Sequence, residues 1–103
     1  MIKVLSMMKR KEGMSIEDFR KWAMEEHPQI GKQFPKIRQY KVNVVLPEHA
    51  DAPYDAVNEL TFDNYEDFIA ALKSEFGDQA LPDILAHCSE NRFRMVTEEK
   101  VII

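Results

Sequence analysis

The order of strand and helix signals along the chain is the feature that most restricts its fold. Apolar runs and apolar–polar alternation, which are typical of strands, occupy residues 2–9, 37–46, 54–62 and 92–98. Helical signals occupy residues 16–26, 64–76 and 79–88. The order is therefore strand, helix, strand, strand, helix (with a short extra helix), strand. At 103 residues the chain has room for one domain, residues 1–103, with a single two-layer core.

The helix boundaries are marked by specific residues. Ser15 is a favourable N-cap residue, and Asp18 stands where a capping box has its acidic residue. Pro28 disfavours helical geometry in the residue before it, so the first helix is predicted to end near His27. Gly77 is predicted to end the second helix, because glycine is common just after a helix terminus.

This order predicts an α+β fold of the ferredoxin-like βαββαβ type, an antiparallel sheet with helices on one face. The first strand carries apolar residues on both faces, with Leu5 and Met7 on one and Ile2, Val4 and Met8 on the other. A sheet covered by helices on one face leaves the second apolar set exposed. We therefore expect a homodimer in which the sheets of two chains pack face to face.

Charge and composition narrow the partners and the location. Fourteen basic and 18 acidic residues give a net charge of −4, so nucleic acid is not an expected partner. No apolar run reaches the roughly 18 residues of a membrane span, and the N-terminus lacks the features of a signal peptide. Cys88 is the only cysteine and has no intrachain disulfide partner. We expect a cytoplasmic protein with no membrane contact.

His27 is the main candidate for chemistry. On a helical projection it lies in the middle of the core-facing stripe, at the predicted C-terminus of the first helix. The helix dipole stabilises the imidazolium there, and desolvation stabilises the neutral ring. A histidine in such surroundings is suited to general acid–base catalysis. The alternative is that His27 only caps the last carbonyl groups of the helix.

Three further residues are expected to converge near His27. Tyr40 lies on the apolar face of the second strand, Asn58 is a polar residue in an apolar row of the third strand, and Trp22 lies on the flank of the first helix. Together with His27 they predict a largely apolar pocket with a few polar groups, although a single buried tyrosine or asparagine is more often a hydrogen-bonded structural residue. The candidate catalytic residues are His27 and Tyr40, and the candidate substrate-binding residues are Trp22 and Asn58.

Asp55 and Glu59 face the same way on the third strand. They could act as paired catalytic carboxylates, pair with Lys41 on the second strand, or pair with basic groups across a dimer interface. We favour the interface pairing.

No metal or cofactor is predicted. His87 and Cys88 are adjacent and diverge on a helix, so they do not form a ligand pair. His49, Asp51 and Asp55 share a loop edge that could take a divalent ion, but such an edge is more typical of a solvated turn. Three scattered glycines form no phosphate loop or dinucleotide fingerprint.

Several segments resemble a known family. Residues 1–28, with Lys-Glu-Gly-Met-Ser-Ile-Glu-Asp-Phe at 11–19 and His27 near the helix end, resemble the opening of EthD-type proteins. Residues 34–40 are similar to the family's entry to the second strand, which ends in tyrosine. Residues 53–62 and 96–102 also resemble family segments, so the resemblance covers nearly the whole chain.

The resemblance implies a dimeric α+β barrel. The family is named after an operon for degradation of ethyl tert-butyl ether. Its wider superfamily includes cofactor-free monooxygenases, polyketide dehydratases and lactone isomerases. The isomerases use a histidine and a tyrosine that match His27 and Tyr40, but Leu60 stands where they carry a cysteine. Lys36 stands where the family often has glycine, in the turn before the second strand.

The functional prediction is a small cofactor-independent catabolic or secondary-metabolism protein. Its pocket at the end of the first helix would support isomerase- or dehydratase-type proton transfer on a small apolar carbonyl compound. The alternatives are a non-catalytic small-molecule-binding or accessory protein, and a purely structural dimer with a filled core.

Overall fold

The structure is a computed structural model that describes all 103 residues. Its strands are β1 (Ile2–Arg10), β2 (Gln39–Val44), β3 (Ala56–Phe62) and β4 (Cys88–Thr97). Its helices are α1 (Ile16–Lys21), a π-helical turn (Trp22–Glu26), α2 (Pro28–Gly31), α3 (Tyr65–Leu72) and α4 (Glu75–His87), with a short 3₁₀ turn at Pro47–His49. The strands form one antiparallel sheet in the order β2-β3-β1-β4, which confirms the predicted ferredoxin-like fold.

The strand register arranges the helix-facing side of the sheet in rows that cross all four strands. An apolar row contains Tyr40, Leu60, Val4 and Val96. The row next to it contains Val42, Asn58, Ser6 and Arg94. We call this second row, three of whose four members are polar, the polar row.

The buried apolar residues form two separate clusters. One holds Val4, Phe34, Leu60, Phe62, Phe68, Ala71 and Ala80, and the other holds Met8, Phe19, Trp22, Ala23, Ala56 and Cys88. In β1 and β3 the polar row lies between the residues of the two clusters. Burial of each large side chain stabilises the fold by about 1.5–3 kcal/mol, so the two clusters fix the helices over the sheet at both ends of a polar strip.

The first helical region continues beyond its predicted end. His27 keeps helical backbone angles (φ −58°, ψ −39°), and α2 begins at Pro28. The π-helical turn allows this, because the His27 N–H donates to the Trp22 carbonyl five residues earlier, at 2.9 Å. Pro28 then occupies a first helical turn, where its missing N–H leaves no intrahelical bond unmade. The predicted end near His27 thus coincides with the end of the π-helical turn at Glu26, but the helical backbone at His27 and the short helix α2 after it were not predicted.

The boundary between α3 and α4 also differs from the prediction. Asn64 caps α3 through a hydrogen bond from Asp67 N–H at 2.9 Å, as expected, but the helix ends before Gly77. Ser74 starts α4 by accepting a hydrogen bond from the Gly77 N–H at 3.3 Å. Gly77 therefore lies in the first turn of α4, and the helix is longer at its N-terminus than predicted.

Lys36 has a left-handed backbone conformation, with a φ of 62° in the turn before β2. An L-residue with a side chain is disfavoured there by roughly 1 kcal/mol relative to glycine. This accounts physically for the glycine that the resembling family often carries at this position.

Asp55 and Glu59 pair within their own chain. The Asp55 carboxylate is buried and accepts hydrogen bonds at 2.8 Å from both the backbone N–H and the Nη1 of Arg10. Glu59 Oε1 lies 3.0 Å from Lys3 Nζ, and this hydrogen bond lowers the pKa of the Glu59 carboxyl. Neither acid forms an ion pair with Lys41, and both form ion pairs inside the protomer. The favoured pairing across a dimer interface stays a prediction.

The sheet face opposite the helices is largely uncovered. Its apolar residues on β1, β3 and β4 adjoin one another in the register: Leu5, Met7, Val57, Phe93 and Met95. Phe93 and Met95 remain 53% and 40% exposed. We call these five residues the open-face patch. None of the helices combines the length and apolar character that a membrane crossing requires.

Candidate functional site

A cavity of about 720 Å³ lies between the helices and the sheet, next to the polar row. Its walls include residues of both apolar clusters, such as Val4, Leu60 and Met8. Three of the four predicted site residues line it: His27, Tyr40 and Asn58. The fold therefore brings together a histidine, a tyrosine and an asparagine that are distant in sequence, around a mainly apolar space.

His27 is held by the carboxylate of Asp83, which is not among the predicted site residues. The ring is only 5% exposed, and its Nδ1 lies 2.7 Å from Asp83 Oδ2 on α4. A carboxylate only accepts hydrogen bonds, so the proton of the neutral ring belongs on Nδ1. This leaves Nε2 with its lone pair free, on a residue that lines the cavity. Contrary to the capping alternative, the side chain bonds to Asp83 and not to a carbonyl group of its own helix.

Asp83 joins four side chains into one network. Its Oδ2 also accepts a hydrogen bond from Trp22 Nε1 at 3.1 Å, and its backbone carbonyl oxygen lies 2.7 Å from Nδ1 of His87. The indole of Trp22 lies 4.6 Å from the His87 ring in a stacked arrangement and 4.9 Å from the His27 ring. The carboxylate and the His27 ring are thus fixed by hydrogen bonding and packing together.

The π-helical turn makes this network possible. Residues five apart, such as Trp22 and His27, face the same side of a π-helical turn, whereas in an α-helix they diverge. Both side chains can therefore reach the same carboxylate oxygen of Asp83. Trp22 is 1% exposed and does not line the cavity. It lies behind His27.

Tyr40 is positioned by a close approach of its ring to α2. A Cβ at position 31 would lie 2.6 Å from Tyr40 Cε2, so the glycine at this position makes room for the ring. The Tyr40 hydroxyl has no hydrogen-bond partner in the protein, and burial raises its pKa to about 12. Below that pH the hydroxyl keeps its proton and can act as a hydrogen-bond donor to a ligand.

The raised pKa of Tyr40 predicts a loss of stability at alkaline pH. An ordinary tyrosine ionises near pH 10, so between about pH 10 and pH 12 the folded chain holds a proton that the unfolded chain releases. The free energy of unfolding should therefore fall as pH rises through this window, and Tyr40→Phe should make the fall shallower. Urea unfolding of both proteins at several pH values measures the free energy of unfolding and its slope with pH. Equal slopes for both proteins would contradict the assignment, and Tyr65→Phe, an exposed tyrosine, serves as the control.

Asn58 and Ser6 are the polar centre of the cavity wall. Asn58 Oδ1 is fully buried without a hydrogen-bond partner in the protein, a state that costs about 1–3 kcal/mol. Ser6 pairs with Asn58 across β1 and β3 and also lines the cavity. Asn58 is predicted from its place as a polar residue in an apolar row, whereas Ser6 is not among the predicted site residues. The same signal was present, since Ser6 interrupts the apolar alternation of Val4 and Met8.

No cysteine thiol lines the cavity. Leu60, whose side chain is apolar and offers no nucleophile, lines it instead. Cys88 belongs to the core cluster around Trp22, and burial raises the pKa of its thiol to about 12. No group of three or more His, Cys, Asp or Glu side chains is arranged to hold a metal ion.

A model of the EthD domain family matches residues 11–88 of this chain. No curated protein matches the sequence. Among solved structures, an ethyl tert-butyl ether (EthD) family protein from Bacillus halodurans is similar at a TM-score of 0.79 and 19% identity, covering 97% of this chain and 99% of that one.

Two other solved structures share the fold at lower similarity. A dimeric ferredoxin-like protein of unknown function from Thermobifida fusca has a TM-score of 0.74 and 16% identity, over 92% of this chain and 87% of that one. SnoaB, a cofactor-independent oxygenase from Streptomyces nogalater, has a TM-score of 0.71 and 9% identity, over 98% and 95% of the two chains. At these identities the likeness establishes the fold.

Proposed function

The chain belongs to the EthD family, and from this premise we propose that it is a cofactor-independent enzyme that moves a proton at the carbon next to a carbonyl group. The substrate is a small, largely apolar compound held in the cavity beneath the helices. The single observation that carries the proposal is the pairing of His27 Nδ1 with Asp83 at 2.7 Å, which leaves Nε2 as the free nitrogen of a cavity-lining histidine.

The proton transfer needs a base and hydrogen-bond donors for the oxygen. His27 Nε2 removes a proton from the carbon next to the carbonyl group, and the electron pair of the broken C–H bond moves onto the carbonyl oxygen. Tyr40 donates a hydrogen bond to that oxygen, and the Asn58 amide supplies a second donor. The imidazolium then returns the proton to the same carbon or to a conjugated one. Asp83 stabilises the imidazolium during this interval.

Trp22 acts through Asp83 and not by touching the substrate. Its indole N–H occupies one hydrogen-bonding site of the carboxylate, and its ring packs against His27. Both contacts limit the rotation of the histidine ring, so we assign Trp22 as a positioning residue. Because Leu60 provides no nucleophile, the proposal covers proton transfer without a covalent intermediate.

Deuterium exchange tests this proposal. The protein is incubated in D₂O with a panel of small ketones, lactones and β-diketones, and loss of the proton signals next to the carbonyl group is followed by NMR. We expect Tyr40→Phe to slow the exchange of an accepted compound by about 100-fold, because one hydrogen bond to the developing enolate is lost. Tyr65→Phe is the matched control, since Tyr65 is 49% exposed and lies outside the cavity.

Other outcomes of this experiment point to the alternatives. Saturable binding without exchange would support a non-catalytic binding or accessory protein with the same cavity. Neither binding nor exchange across the panel would support a structural dimer. Exchange that is equally fast in the Tyr40→Phe protein would remove Tyr40 from the mechanism.

The proposal includes a homodimer formed through the open-face patch. The Thermobifida fusca neighbour is described as dimeric, and the patch offers five adjoining apolar side chains on the uncovered side of the sheet. A reducing, cytoplasmic setting is also part of the proposal, because the buried Cys88 has no second cysteine to pair with.

Light scattering coupled to size-exclusion chromatography checks the dimer. The expected mass is twice the 12.1 kDa of the chain. Leu5→Lys should shift the protein to the single-chain mass, because it introduces a charge into the patch. Leu85→Lys, on the exposed side of α4, should leave the dimer intact. A single-chain mass for the unmodified protein at micromolar concentration would overturn the proposed dimer.

A further inference from the structure

Two arginines stand on the helix-facing side of the sheet, where apolar residues would be expected. The register pairs Arg92 with Met8 and Arg94 with Ser6, so both side chains project from edge strand β4 toward the helices. Both line the cavity. Arg94 is the last member of the polar row, which therefore runs from Asn58 through Ser6 to a guanidinium group.

Neither of these arginines has a hydrogen-bond or ion-pair partner, and this distinguishes them from the rest. The chain has five arginines. The other three donate to protein acceptors: Arg10 to Asp55, Arg20 to the carbonyl oxygen of Val45, and Arg38 to Asp63. Asp78 and Glu90 also line the cavity, but neither forms an ion pair with Arg92 or Arg94. Both arginines are exposed, and their unpaired side chains line the cavity at its β4 side.

Arg94 is held in place without using its hydrogen-bond donors. Its guanidinium carbon lies 5.2 Å from the centroid of the Phe68 ring, which is itself a wall of the cavity. This cation–π contact orients the charged group but satisfies none of its N–H groups. The N–H groups of Arg94 stay free for an acceptor that is not part of the protein.

We infer that the compound bound in this cavity carries a carboxylate, which Arg94 and Arg92 bind at the β4 side. Arginine side chains match the planar geometry of a carboxylate through charge-assisted, paired hydrogen bonds. The inference rests on the proposed function for the rest of the pose: with the carboxylate at β4, an apolar body spans the cavity and the carbonyl group reaches Tyr40 and Asn58. The substrate class is therefore a carboxylic acid that also contains a carbonyl group, such as a keto acid.

A matched pair of probes tests the inference. Benzoylpropionate and its neutral amide, benzoylpropionamide, have nearly the same shape and the same ketone, and differ in the charge of one group. Isothermal titration should show that the unmodified protein binds the carboxylate at least about tenfold more tightly than the amide. In the Arg92→Gln/Arg94→Gln variant the two dissociation constants should agree within about twofold. Arg38→Gln, an exposed arginine outside the cavity, should keep the preference.

The outcomes separate this inference from the proposed proton transfer. Equal affinity for both probes, a preference that survives in the double variant, or no binding of either probe at millimolar concentration overturns the carboxylate site. None of these results contradicts the proposed proton transfer, because deuterium exchange of other carbonyl compounds can still be observed. Conversely, arginine-dependent binding of the carboxylate together with no exchange by any carbonyl compound would keep the anion site and overturn the proton transfer.

Discussion

Replacing Gly77 with alanine is expected to lower the midpoint of thermal unfolding by about 12–24 °C. A Cβ at this position would lie 2.0 Å from the carbonyl oxygen of Leu72 and 2.4 Å from its carbonyl carbon. In most helical positions a change from glycine to alanine is favourable by up to about 1 kcal/mol. Here the clash involves backbone atoms at the end of α3, so a net loss of about 3 kcal/mol or more is expected.

Gly31→Ala is the matched control, because it is also a glycine in a helix with a close neighbour. Its Cβ would meet the ring of Tyr40, a side chain that can rotate away, so we expect a loss less than half as large. Circular dichroism melts of the three proteins make the comparison. If Gly77→Ala unfolds within about 2 °C of the unmodified protein, α3 and α4 do not approach each other as described.

Gly77 matters to function because it sets the position of α4. The close approach of Gly77 to Leu72 fixes how the first turn of α4 follows α3, and Asp83 lies farther along the same helix. A shift of this turn would move the carboxylate relative to His27. A partly folded Gly77→Ala protein is therefore expected to lose the hydrogen bond between His27 and Asp83 as well as stability.

Local signals were enough to predict the element order and part of the site. The Ser15 cap and the alternation in β2 and β3 depend on neighbouring residues, and the structure confirms the ferredoxin-like arrangement that they predict. Asn58 was found because it breaks an apolar alternation. Ser6 breaks one in the same way and could have been found by the same reasoning.

The rest of the site depends on contacts that no local pattern encodes. Asp83 is 56 residues from His27 in sequence, and their contact requires both the π-helical turn and the placement of α4. The 3.6-residue periodicity used for helix projections does not represent a turn in which residues five apart align. A helical projection places Trp22 on the helix flank, whereas in the structure the indole packs against the His27 ring and bonds to the same carboxylate.

His27→Ala and Asp83→Asn are each expected to slow deuterium exchange of an accepted carbonyl compound by about 1,000-fold or more. His27→Ala removes the base. An asparagine amide at position 83 can donate to His27 Nδ1, which favours the tautomer with the proton on Nε2 and takes the lone pair away from the cavity. Trp22 Nε1 contacts the same Oδ2 atom as His27 Nδ1, so an amide nitrogen at that position leaves the indole N–H without its acceptor. Circular dichroism of the variant is therefore the control for folding.

The His27→Ala/Asp83→Asn double variant shows whether the two residues act as a pair or contribute to the rate independently. If Asp83 acts only through His27, the double variant should be no slower than His27→Ala alone, because the two groups act as a unit. Asp78→Asn is the matched control, since Asp78 lies on the same helix and lines the same cavity but does not hydrogen-bond to His27.

Nitrogen chemical shifts of the His27 ring give a readout independent of any substrate: Asp83→Asn should move the proton from Nδ1 to Nε2, and Asp78→Asn should not. If the His27 tautomer is the same in the unmodified protein and in Asp83→Asn, Asp83 is a structural residue and the base must be oriented by another contact.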